Sequence, residues 1–146
     1  MKIPRSALAF ACIAFIVGSI APGAALAADK ACTKADATKG AKAIDRINTW
    51  GDLYKAWQDY GHCDTGDVAD GFTDSLLRLM VDWKAVDTLA APMQKDAQFK
   101  AWVLARLQAA SKEDRDAVYS RVKASCPKGL DSLCAELADA VRPAAK

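Results

Sequence analysis

The residues able to do chemistry in this chain are few, and their spacing is the first thing to weigh. Of 146 residues only one is histidine, His62, and it abuts Cys63 in the stretch Gly61-His62-Cys63-Asp64-Thr65-Gly66-Asp67. A nucleophilic Ser or Cys needs a base beside it. With a single imidazole next to a cysteine expected to be oxidised, no such pairing can be read. Neither G-x-S-x-G, H-E-x-x-H, a phosphate-cradling glycine loop nor a dinucleotide fingerprint is present. Glu113 and Glu136 are the only glutamates, and Glu113 reads as a helix-start acid. Asp64, Asp67, Asp70 and Asp74 suggest calcium at first sight. If Gly71 is the sixth residue of an EF-hand loop, however, Gly66 and Val68 stand where acids belong. A c-type haem would need C-x-x-C-H, and zinc or a redox pair would favour C-x-x-C; neither occurs. The expectation is therefore no catalytic residue, no metal and no cofactor. What the acids and His62 can do is bind.

Cysteine usage points to an oxidising compartment. Met1-Lys2-Ile3-Pro4-Arg5 is basic, Ala7 to Ile20 is an almost unbroken apolar run, and Ala25-Leu26-Ala27 follows Pro22-Gly23. That order reads as a secretory signal over residues 1–27, cut after Ala27. The apolar run is shorter than the ~20 residues a spanning helix needs, and no second one follows, so residues 28–146 are expected in the periplasm or secreted, without a membrane span. Cys12 leaves with the signal, and Cys32, Cys63, Cys126 and Cys134 remain. Four cysteines in an exported chain read as two disulfides with three possible pairings. Cys126–Cys134 is the most economical, closing a turn at Pro127-Lys128-Gly129 and leaving Cys32–Cys63 to pin the amino-terminal segment.

Cleavage also changes the charge. Lys2 and Arg5 leave and no acid does, so 20 basic residues fall to 18 and match the 18 acids. Net charge near zero argues against a general nucleic-acid binder, which shows a clustered basic face. The charge is nonetheless polarised. Asp59 to Asp96 holds eight Asp against Arg78, Lys84 and Lys95, whereas residues 97–146 hold nine basic and six acidic side chains.

The elements that must position these groups are helices. Apolar residues recur at helical spacing and strict alternation is absent, so the expectation is an all-α domain over 28–146, one disulfide-stabilised bundle of about five amphipathic helices. Lys34 to Ile47 is alanine-rich. From Thr49, with Asp52 completing a capping pattern, Trp50, Leu53, Tyr54, Trp57 and Tyr60 share a side, and Gly61 is a stop. A bend is expected near Gly51. A long helix from about Thr65 to Thr88 places Val68, Phe72, Leu76, Leu79, Met80, Trp83 and Val86 on one arc. Asp67, Asp70, Asp74, Arg78 and Asp82 lie opposite, with Asp74 and Arg78 spaced as an i,i+4 pair. Leu77 and Val81 lie beside the acidic stripe. Ala90-Ala91-Pro92 is expected to break the pattern. Further helices start near Asp96, after Ser111, and at Asp131 as cap. Arg106, beside Trp102 and Phe99, is expected to run its stem along the core with its head in water.

The signal ending Ala25-Leu26-Ala27, the Gly61-His62-Cys63 turn, the Asp70-Gly71-Phe72 step and the Cys126/Cys134 pair together give a chain that resembles the small periplasmic immunity proteins of type VI secretion, the amidase-immunity kind. The resemblance is one of architecture. It implies a protein that covers an enzyme cleft and needs no catalytic group of its own; the acidic helix adds the expectation that this hydrolase has a basic surface. On the residues themselves, His62 reads first as part of a tight turn and second as an exposed contact at its tip. Asp67, Asp70 and Asp74 read as a steering face, with Leu77 and Val81 as apolar anchors. The alternatives are a small-ligand pocket lined by Trp57, Trp83 or Trp102 with Arg106 converging on it, and a structural or stress-related envelope protein.

Overall fold

A computed structural model describes residues 30–143; the signal expected at 1–27 lies outside them. Among the described residues the chain forms seven α-helices and no strand: α1 Lys34–Ile44, α2 Trp50–Tyr60, α3 Gly66–Asp82, α4 Asp87–Lys95, α5 Ala97–Ala109, α6 Lys112–Ser125 and α7 Asp131–Ala140. A single 3₁₀ turn, Gly61–Cys63, joins α2 to α3. The all-helical expectation holds; the number of helices is seven rather than about five.

Local chemistry explains most of the boundaries. At α2 the Thr49 hydroxyl accepts from the Asp52 N–H while the Asp52 carboxylate accepts from the Thr49 N–H, the reciprocal box its spacing predicts. Thr33, Asp96 and Ser111 cap α1, α5 and α6 by the same side-chain-to-backbone logic. The bend expected near Gly51 falls one turn earlier, over Asp45–Thr49, because that box makes Gly51 the second residue of α2.

Three boundaries depart from expectation. The helix foreseen from Thr65 to Thr88 ends at Asp82, where Trp83 turns left-handed at φ 54° and Ala85 does the same at φ 49°. Each such residue costs about 1–2 kcal/mol without a glycine, and two long-range bonds hold the link in place. The Trp83 indole donates to the Ser125 carbonyl at 2.8 Å, and the Trp50 indole donates to the Lys84 carbonyl at 2.9 Å. Pro92, expected to break the chain, sits inside α4. Finally, Asp131 is the first residue of α7 and not its cap; Leu130 holds that position without a side-chain bond.

Every helix contributes to one contiguous core: Ile44, Leu53, Phe72, Leu89, Phe99, Val118 and Leu137 are each buried and come from α1 to α7 in turn. α3 runs through the middle, packed by α1, α2, α5 and α6, while α4, α5 and α7 close the other side. The α1–α3 contact is tight because Gly71 has no Cβ; one built there would stand 2.8 Å from Cγ2 of Ile44. Two disulfides complete the frame. Cys32–Cys63 fastens the segment before α1 to the 3₁₀ turn, and Cys126–Cys134 ties the end of α6 to α7, which resolves the three pairings open in the sequence.

Candidate functional site

The acidic stripe of α3 is present as a surface. Asp67, Asp70 and Asp74 are all exposed, and among the described residues none of them enters an ion pair. The pair expected between Asp74 and Arg78 does not form, because Arg78 donates instead to the Ile47 carbonyl at 2.5 Å and so ties α3 to the loop after α1. Leu77 and Val81 continue the stripe toward the end of α3, but both are half-buried against the core rather than free anchors. The stripe is thus a charged face with a mostly covered apolar continuation.

Asp64 begins the same acidic series and serves a different purpose. Its Oδ2 accepts from Arg106 Nη2 at 2.5 Å and from the Trp102 indole at 2.8 Å, while Arg106 Nη1 also donates to the Thr73 hydroxyl at 2.9 Å. The guanidinium lies 5.9 Å from the Trp102 ring centre. Arg106 therefore does not place its head in water as expected. It is the clamp that holds α5 against the start of α3.

His62 is not the exposed tip contact that its loop position suggests. Its side chain is 10% exposed, and Nε2 stands 3.6 Å from Oδ2 of Asp36, beyond hydrogen-bond distance. That nitrogen is buried and has no partner among the described residues. Asp36 itself is kept ionised below the usual carboxylate range, first by the Thr33 hydroxyl donating to it at 2.9 Å, against the opposing effect of burial, and then by the Lys30 ammonium at 3.7 Å and His62. The 3₁₀ turn, Cys32–Cys63 and the first turn of α1 form one rigid corner.

That corner borders a cleft of about 630 Å³, lined by Trp57, Gln58, Asp59, Gly61, His62, Gln98 and Lys30. Of the three tryptophans read from the sequence as pocket residues, only Trp57 lies here; Trp83 and Trp102 are used in the long-range bonds above. Gly61 lets the turn pass close to the Trp57 pyrrole, since a Cβ at 61 would stand 3.3 Å from its Cδ1 and Nε1. Gln58, Gln98, Lys30 and Asp36 carried no sequence signal: they come from α2, from α5 and from around the start of α1, and meet only in space.

No base–nucleophile pair joins these groups: the imidazole faces a carboxylate at its one close polar contact, and Cys63 beside it is in a disulfide. Among the described residues no three His, Cys, Asp or Glu side chains gather to hold a metal ion, and no helix is long and apolar enough to cross a membrane. No family model matches the chain, and neither does any curated protein or solved structure.

Proposed function

We propose that this chain is an exported binding protein that docks onto a basic surface of a protein partner, as an inhibitor or immunity factor for a cell-wall-degrading hydrolase does. The observation that carries this reading is the unpaired state of Asp67, Asp70 and Asp74, three exposed carboxylates on successive turns of the helix at the centre of the fold. Arg78 lies on the same helix and is held by the Ile47 carbonyl, so it does not pair with them. A fixed row of like charges on a rigid helix raises the encounter rate with a cationic surface and selects against acidic ones. The two disulfides suit work in an oxidising compartment.

The test compares the disulfide-bonded protein with its D67N/D70N/D74N variant. Both are immobilised against envelope extract, and the retained hydrolase is assayed on cell wall. The wild type is expected to retain and inhibit a basic hydrolase. The variant should bind at least tenfold more weakly, with a shallower dependence of affinity on salt. Equal affinity and an equal salt slope for the two proteins reject the reading.

A further inference from the structure

We infer that the cleft beside the 3₁₀ turn is a binding site for an uncharged saccharide, separate from the acidic face of α3. Four observations converge on it. The protein has four tryptophans. The indole N–H groups of Trp50, Trp83 and Trp102 donate to Lys84 O, Ser125 O and Asp64 Oδ2, whereas Trp57, which lines the cleft, donates to nothing among the described residues. The Trp57 N–H is therefore free to bond a ligand acceptor in place of water.

The second observation is His62, nine-tenths buried in the same wall with its Nε2 closed off from solvent and turned toward Asp36 Oδ2 at 3.6 Å, so the turn gives the cleft a fixed surface. The third is the pair of carboxamides, Gln58 from α2 and Gln98 from α5, whose side chains make no internal hydrogen bond among the described residues. Each can donate and accept at once, as a sugar hydroxyl does. The fourth is charge. Lys30 faces Asp36 at 3.7 Å and Asp59 bonds Lys55 at 2.9 Å, so the cations and anions at the rim are matched within the protein. A charged ligand finds no free counter-charge there, and a wholly apolar one would strand both amides. A polyhydroxylated, uncharged molecule satisfies both amides and the Trp57 N–H. The volume of about 630 Å³ falls within the ordinary range for small-molecule clefts.

The wall is stiff enough to recognise such a ligand. Trp57 is backed by Phe99 and Trp102 at ring-centre distances of 5.2 and 6.3 Å, and Cys32–Cys63 fixes the turn that carries His62.

The four indole N–H signals of the ¹⁵N-labelled, disulfide-bonded protein provide the readout, with Trp57 assigned by its loss in W57F. Chitobiose, cellobiose and maltose are each titrated, with acetate and glycylglycine as charged comparators. At least one disaccharide is expected to move the Trp57 signal saturably while those of Trp50 and Trp83 stay still. Replacing both exposed amides (Q58A/Q98A) should weaken that binding about tenfold, the effect of losing two ordinary hydrogen bonds. The proposal is overturned if no disaccharide shifts Trp57, if a comparator binds more tightly than all three sugars, or if Q58A/Q98A binds as the wild type does.

Discussion

Arg106 on α5 closes on the carboxylate of Asp64, 42 residues away in the turn before α3, at 2.5 Å. The two side chains are 24% and 17% exposed, so the pair stands between a surface ion pair, worth up to about 1 kcal/mol, and a buried one, whose breaking costs about 3–5 kcal/mol. It joins the acidic helix to the aromatic group that backs the cleft, because Trp102 donates to the same oxygen.

R106M keeps the stem and removes the charge, leaving Asp64 with the Trp102 indole alone. It should lose about 1–3 kcal/mol of stability in urea denaturation. Adding D64N should recover part of that loss. A deficit below about 0.5 kcal/mol would identify the pair as a solvated surface contact.

Glycine-to-alanine changes should have opposite signs at two helical sites. At Gly51 an added Cβ meets only Thr49 Oγ1 at 3.7 Å, so G51A should stabilise by about 0.5–1 kcal/mol through helix propensity. At Gly71 the new methyl would meet Cγ2 of buried Ile44 at 2.8 Å. A β-branched side chain cannot swing away, and G71A should destabilise by about 1–3 kcal/mol. Thermal melts of G51A, G71A and G71A/I44A check the assignment, the double variant behaving less than additively because the clash is gone.

The two disulfides close loops of different length, with sequence separations of 31 and 8. On loop entropy alone, losing Cys32–Cys63 should cost about 3.7 kcal/mol and losing Cys126–Cys134 about 2.5 kcal/mol. Paired Cys-to-Ala variants compared by denaturation test the order. Hydrogen exchange should show α1 loosening in the first variant and α7 in the second.

Acid should weaken the fold through two caps. The Asp52 carboxyl lies below its usual 3.8, chiefly because the Thr49 hydroxyl and the Asn48 and Thr49 N–H groups bond its charged form. Asp36 is lowered in the same direction, first by Thr33. A depressed folded value means that the unfolded chain takes up protons first as pH falls. This stabilisation is complete above the ordinary carboxylate value and is lost as pH drops below it through the folded value. The denaturation midpoint should therefore decline below about pH 4, and D52N should be less stable at neutral pH yet show a flatter decline.

Much of the fold was legible because its signals are local. A Thr with an Asp three residues on, a Ser before a polar first turn, and apolar residues every three or four positions are encoded within one helix, so α2, α5 and α6 start where their sequences indicate. The split between α3 and α4 was not legible. Residues 83–86 contain no Gly or Pro, and Val86 continues the apolar period of the helix before it. The functional groups divide the same way: the acidic stripe follows from spacing along one helix, whereas the cleft takes residues from elements that only packing brings together.

By itself, then, the amino-acid order determined a helical, doubly cross-linked chain with an acidic face on one helix, because periodicity, capping and composition act over a few residues. Tertiary structure alone decided the rest: the two left-handed residues held by the bonds from Trp50 and Trp83, the transfer of Arg78 from Asp74 to Ile47, the clamp of Arg106 on Asp64, and the burial of His62 against Asp36. Each depends on a hydrogen bond or charge contact between groups 26 to 42 residues apart. The energy of such a contact exists only once hydrophobic burial has brought the two ends together and removed the water between them.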